Sequence, residues 1–157
     1  MLDRLRQFIT DVVSPTGAGQ PGFADDDYRL AAAALLIHVI SLDGEPSTAE
    51  KRKLHALLEY RFNLDPGAVD ALVRDALRVE GEAVDLYHFT SVIMRSVNDE
   101  GRLRIVEMMW ELVYADDHVS EFEENVIWRA ADLLGVSTRE RVNLRQQVQD
   151  GALDPAP

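Results

Sequence analysis

Cysteine is absent from this chain of 157 residues, which excludes disulfides, thiolate zinc sites, iron–sulfur clusters and a cysteine nucleophile. Any metal ion must then be held by oxygen or imidazole. Positive charge is scarce as well: 16 Lys and Arg stand against 28 Asp and Glu, a formal net charge of −12. Such a chain repels phosphate backbones, so no nucleic-acid partner is expected, and cations or basic surfaces suit it better. No uninterrupted apolar run approaches the roughly 20 residues that span a bilayer. The N-terminus, Met1-Leu2-Asp3-Arg4-Leu5-Arg6-Gln7-Phe8, carries charges where a signal peptide needs a continuous apolar stretch, and the cytoplasm is the expected location. Glycine loops that cradle phosphate, a nucleophile elbow and His-Glu-x-x-His are all missing. Nothing in the motifs predicts an enzyme.

What is present is helical periodicity. With 46% hydrophobic residues the length suits one domain with a sizeable core. Leu2, Leu5, Phe8, Ile9, Val12 and Val13 recur at helical spacing and predict an amphipathic helix over residues 2–13. Arg4 and Arg6 are offset there by Asp3 and Asp11. Packing on the domain, or on a second copy in a homodimer, is therefore favoured over a membrane surface, and membrane contact is expected through no other segment. A Pro/Gly linker occupies residues 14–24. The helical domain is expected over 25–149, followed by a frayed tail at 150–157.

Within the domain two helices are strongly apolar, from about Asp25 to Leu42 and from Leu103 to Ala115. Both are expected at the centre of a bundle. Amphipathic helices are predicted from Ser47 to Arg61, Pro66 to Arg78, Val84 to Val97, Ser120 to Leu134 and Ser137 to Gln149, the last ended by Asp150-Gly151. Their inward positions include Leu54, Leu57, Leu58, Leu86, Phe89, Ile93, Met94, Phe122, Val126, Ile127 and Ala130. No alternating run demands a strand. The predicted fold is all-α, a compact bundle of about seven helices made of two pseudo-symmetric helix-turn-helix halves.

One turn is written twice. Asp43-Gly44-Glu45-Pro46-Ser47 with Glu50 follows the first central helix, and Asp116-Asp117-His118-Val119-Ser120 with Glu123 follows the second. Ser-x-x-Glu is a capping box, in which hydroxyl and carboxylate reciprocally satisfy free backbone N–H groups, and Ser137-x-x-Glu140 is a third match. Capping alone accounts for Glu50 and Glu123. The aspartates are different, because a negative charge where a helix ends opposes the macrodipole by about 0.3–1 kcal/mol. A local turn hydrogen bond or a bound cation would compensate. If the halves pack with their turns adjacent, four carboxylates converge and repel one another unless neutralised.

Hard carboxylate oxygens favour calcium, magnesium or manganese. An EF-hand is excluded, since its bidentate glutamate would fall on Leu54 or Ile127. His38, His55 and His88 stand singly, which disfavours zinc; His118, beside Asp117 and near Asp116, is a candidate ligand. Tyr87, Phe89, Met108, Met109, Trp110 and Tyr114 have helical spacing and are expected in the core.

The repeated pattern, together with Asp85-Leu86-Tyr87-His88-Phe89-Thr90, Arg102-Leu103, Glu107-Met108-Met109-Trp110 and Ala131-Asp132-Leu133-Leu134-Gly135-Val136, resembles the TerB-like family. Its members are tellurite-resistance TerB proteins and a related domain of some membrane-anchored J-domain co-chaperones. The resemblance covers about residues 25–149 and looks most like an uncharacterised bacterial branch. It implies a helical bundle of two halves with no established catalysis, and a proposed metal site whose acidic pairs fall on Asp43 and Glu50 and on Asp116 and Glu123. Where the family's second turn usually has glycine this chain has Asp117 then His118, which changes the turn's backbone preference while adding two candidate ligands. The resulting expectation is a non-enzymatic binding or scaffold domain that acts through protein partners in stress response and takes a divalent cation at the paired acidic turns. The alternatives are a metal-dependent hydrolase using the same cluster, which needs a deep pocket beside Asp43 and Asp116, and a pure scaffold whose turns only cap.

Overall fold

A computed structural model of the chain describes residues 23–24, 26–42, 44–82, 86–115 and 119–153. The segment over 2–13 and the linker after it lie outside the described residues. Among those described there are seven helices and no strand: α1 Tyr28–Ile40, α2 Thr48–Arg61, α3 Pro66–Glu82, α4 Leu86–Ser96, α5 Asp99–Val113, α6 Glu121–Leu133 and α7 Thr138–Leu153. The all-α bundle expected from periodicity is what forms.

The core is built around α1. Leu30 to Ile37, Val39 and Ile40 are all buried, and the helix packs against α2, α3, α4, α5 and α6. Its run of four alanines, Ala31 to Ala34, lets neighbours approach closely on several sides, while Leu35 and Leu36, both fully buried, contribute about 1.5–3 kcal/mol each through removal from water. The second central helix, α5, buries Ile105, Val106, Met108, Met109, Trp110, Leu112 and Val113 and contacts α1, α2, α6 and α7. Around these two lie amphipathic helices whose inward stripes include Leu54, Leu57 and Leu58 of α2 and Leu86, Phe89 and Ile93 of α4.

Several helix ends are set by caps. Asp27 Oδ1 accepts from Arg29 N at 2.9 Å and starts α1. Asp65 Oδ1 accepts from Ala68 N at 2.8 Å, with Pro66 in the first helical position of α3, as its missing N–H and fixed φ favour. Asn98 Oδ1 accepts from Gly101 N at 2.9 Å, which starts α5 at Asp99, four residues before the expected Leu103. At its other end α3 runs on to Glu82 rather than stopping at Arg78. The last helix is also longer than expected, passing through Asp150-Gly151 to Leu153. A terminating glycine takes a positive φ, as Gly135 does at +74° after α6, and Gly151 does not.

Two side chains expected inward point out. Phe122 is 70% exposed and Met94 42% exposed. In α6 the buried stripe is Glu123, Ile127, Ala130 and Ala131: the capping carboxylate itself takes the first inward position, so its neighbour Phe122 faces solvent. Tyr87, expected in the core, is likewise exposed, whereas Phe89, Met108, Met109 and Trp110 are buried.

Candidate functional site

The first repeated turn follows Ser41, which closes α1. Gly44 adopts φ +113°, a conformation that costs glycine no steric penalty. Ser47 then opens α2 with both hydrogen bonds of the capping box: Glu50 N donates to Ser47 Oγ at 3.0 Å, and Ser47 N donates to Glu50 Oε1 at 2.8 Å. The second turn follows Tyr114, which closes α5, and Ser120 repeats the geometry with Glu123 at 3.1 and 2.9 Å. Ser137 and Glu140 form a third box, at 3.1 Å in both directions. The first two differ from the third in burial. Glu50 is 7% exposed and Glu123 3%, whereas Glu140 lies in solvent. Two carboxylates are thus drawn into the bundle, each with an oxygen satisfied by a backbone N–H.

Of the six candidate ligands, Glu50 and Glu123 are described; Asp43, Asp116, Asp117 and His118 lie outside the described residues. Among the described residues no three His, Asp or Glu side chains form a group that would hold a metal ion. The remaining histidines are individually placed. His38, half-buried near the end of α1, has Nδ1 3.3 Å from Glu80 Oε1. His55 faces Asp70 at 3.6 Å, and His88 meets the Phe89 ring edge-on.

One residue beside each turn lines a shared groove. A groove of about 770 Å³ runs between α2, α5 and α7. Ala49, Arg52, Lys53 and Ala56 supply one wall at the i, i+3, i+4, i+7 spacing of a single helix face. Glu107, Glu111, Tyr114 and Ala115 form another, so Ala49, next to Glu50, shares the groove with Ala115, next to Asp116. Across its end Arg61 of α2 reaches α5, one Nη2 donating to Glu107 Oε1 at 3.0 Å and to Glu111 Oε1. Burial pushes the Arg61 guanidinium down, but the hydrogen bond to Glu111 and the charges of Glu111 and Glu107 outweigh it and raise its pKa. Arg104 also donates to Glu107, at 3.0 Å.

A second, smaller cavity of about 290 Å³ brings together both tryptophans of the chain, Trp110 and Trp128, with Arg141 and Arg145. Arg141 lies over the Trp128 ring at 4.8 Å and Arg145 over the Trp110 ring at 5.2 Å, separations typical of cation–π contact. Arg145 is held by Tyr114 Oη, to which its Nε donates at 2.8 Å, and by Glu124. The hydrogen bond to Tyr114 outweighs burial and raises its pKa. Burial first, and then the like charge of Arg145, lower that of Arg141.

Sequence reasoning missed both the basic wall of the groove and this tryptophan pair. The signal for the first was available: on α2 the face Ala49-Arg52-Lys53-Ala56 carries no large apolar residue, which marks it as a face the core does not claim. For the second there was none, because Trp128 and Arg141 belong to different helices.

Among the described residues, seven helices with a groove between α2, α5 and α7 define an all-α helical bundle. The family model described as "Tellurite resistance protein TerB" matches residues 29–146, which reach from the first turn of α1 into α7, and the chain belongs to the TerB family. No curated protein and no solved structure matches it.

Proposed function

We propose that this TerB domain is a non-enzymatic cytoplasmic binding module, acting through protein partners in stress response, that takes a divalent cation between its two acidic turns. Asp43, Glu50, Asp116 and Glu123 are the proposed ligands, with Asp117 and His118 as additional donors and calcium, magnesium or manganese as the ion. The carrying observation is that Ala49 and Ala115, the neighbours of Glu50 and Asp116, line one groove. Acidic turns on the rim of one groove would concentrate like charge, and hard oxygen ligands with a divalent ion would relieve the repulsion.

Thermal melts in EDTA and in calcium, magnesium or manganese test the reading. An ion that binds only the folded state raises the melting temperature with concentration, by about 2.7 kcal/mol of stability at a hundredfold excess over its Kd. The double variant Asp43→Asn/Asp116→Asn removes two charges and keeps the turn hydrogen bonds. It is expected to be at least as stable as the parent in EDTA and to respond far less to the ion. Equal shifts in both proteins, or none, would leave the turns as caps alone. Ion-dependent turnover of p-nitrophenyl phosphate, lost in the double variant, would instead make the groove a hydrolase site.

A further inference from the structure

The chain has two lysines, and both stand in one run, Lys51-Arg52-Lys53 on α2. Three adjacent positive charges in a chain of formal net charge −12 are a local reversal of the field. Lys51 and Arg52 are exposed and Lys53 is half-buried. Among the described residues none of the three side chains takes part in an ion pair. The nearby carboxylates Glu107 and Glu111 are already engaged by Arg61 and Arg104. Arg52 and Lys53 line the groove of about 770 Å³, and its other surfaces include Ala49, Ala56, Ala115 and Gly151. Small side chains there let a backbone approach closely, and the volume falls within the roughly 300–1,000 Å³ of ligand clefts.

We propose that this groove docks an acidic segment of a partner protein, whose carboxylates pair with Arg52 and Lys53. The proposal names the partner class for the binding-module reading and rests on that reading, though not on its cation. Charge complementarity selects the occupant. Within the groove Glu107 and Glu111 are paired with Arg61 and Arg104, and acidic groups farther off are screened over a Debye length of about 8 Å at physiological salt, so a short segment lying along Arg52 and Lys53 feels these two cations above the remaining repulsion. A long polyanion such as nucleic acid runs beyond the groove into that repulsion. Individual exposed ion pairs contribute little; two side by side on the wall of a cleft give selectivity and a strong salt dependence.

The test uses the full chain in EDTA and follows the fluorescence anisotropy of a fluorescein-labelled octaglutamate peptide. Binding is expected at 50 mM NaCl and is expected to weaken strongly at 500 mM. Arg52→Glu/Lys53→Glu should weaken it by about tenfold or more, and Ala56→Trp, which fills an exposed position of the groove without altering charge, should weaken it comparably. Arg95→Glu/Arg139→Glu changes net charge equally at exposed positions outside the groove and should leave binding within about twofold of the parent. Circular dichroism confirms that each variant is folded. The proposal is overturned by absence of peptide binding, by equal loss in both charge-reversal variants, or by an eight-residue oligothymidylate that binds more tightly than the peptide. Because ions are absent, any of these results leaves the cation melts standing, and failed cation melts leave this result standing.

Discussion

The two central helices are buried in different ways. In α1, 10 of 13 residues are buried, and only His38 interrupts the apolar run from Leu30 to Ile40. In α5, 7 of 15 are buried, and the other face carries Glu107 and Glu111, which reach Arg61 of α2, and Arg104, which pairs with Glu107. The first helix holds the bundle together from inside. The second divides its surface between the core and the groove, and its placement decides where Tyr114 and Ala115 stand. A helix that must present polar groups to a cleft keeps one face out of the core, which explains why the groove forms along α5 rather than along α1.

Truncation inside the two helices gives the largest effects. Leu36 is fully buried and Trp110 is 3% exposed; Leu36→Ala is expected to cost about 2–5 kcal/mol and Trp110→Ala about 3–5 kcal/mol, each through lost transfer energy and the cavity left behind. Denaturant melts measure both. The comparison sharpens with overpacking: Ala33, without exposure in α1, has no side on which to place extra volume, and Ala33→Leu is expected to cost about 1–3 kcal/mol. A variant of Leu36 or Trp110 that melts with the parent would break the assignment of its helix to the centre.

The polar face of α5 comes next. Arg61 is 24% exposed, and its partners Glu107 and Glu111 are 13% and 20% exposed. Arg61→Ala leaves Glu111 without its cation and Glu107 with Arg104 alone, in a partly screened site where the loss lies between that of a surface pair and that of a buried one, about 1–3 kcal/mol. Arg61→Met, which keeps volume and removes charge, should recover little of it. If Arg61→Ala costs nothing by denaturant melt, the bridge does not hold α2 to α5, and the groove's end wall has another support.

How much of this was legible follows from where each signal lives. The apolar runs of α1 and α5 and the three Ser-x-x-Glu boxes are local patterns, and local patterns survive in a sequence. Each box formed with both hydrogen bonds. Helix ends were less legible: Asn98 is an N-cap that periodicity alone passed over, and Gly151 is a glycine that does not stop its helix. Phe122 went wrong because a buried carboxylate, Glu123, took the inward position that hydrophobicity would assign to the aromatic ring. The groove as a whole was not legible, only the face of α2 that walls it. It exists only where α2, α5 and α7 pack, although the absence of large apolar residues among Ala49, Arg52, Lys53 and Ala56 hinted that this face of α2 looks elsewhere than the core.

The smallest effect separates the two helices by how they begin. Asp27 caps α1 with a carboxylate that also takes Arg29 Nη2 at 2.7 Å, whereas neutral Asn98 caps α5. Burial alone would raise the Asp27 pKa, but the side-chain and backbone hydrogen bonds from Arg29, with its charge, outweigh this and hold it below the ordinary carboxylate value. A depressed folded pKa means that the unfolded chain binds more protons at low pH. The stabilisation is therefore complete above the unfolded Asp value of about 3.9 and is lost as pH falls through the folded pKa. Asp27→Asn keeps a capping oxygen and gives α1 a cap like that of α5. At neutral pH it is expected to cost about 0.5–1 kcal/mol, since Asn and Asp cap comparably and the lost pair with a one-third exposed Arg29 is screened by solvent. Urea melts from pH 7 to pH 2.5 should show parent and variant converging as the acid limit is approached, with Asn98→Ala offset from the parent by a nearly constant amount across the same range. A gap between parent and Asp27→Asn that is independent of pH would show that the Asp27 charge contributes nothing to the start of α1.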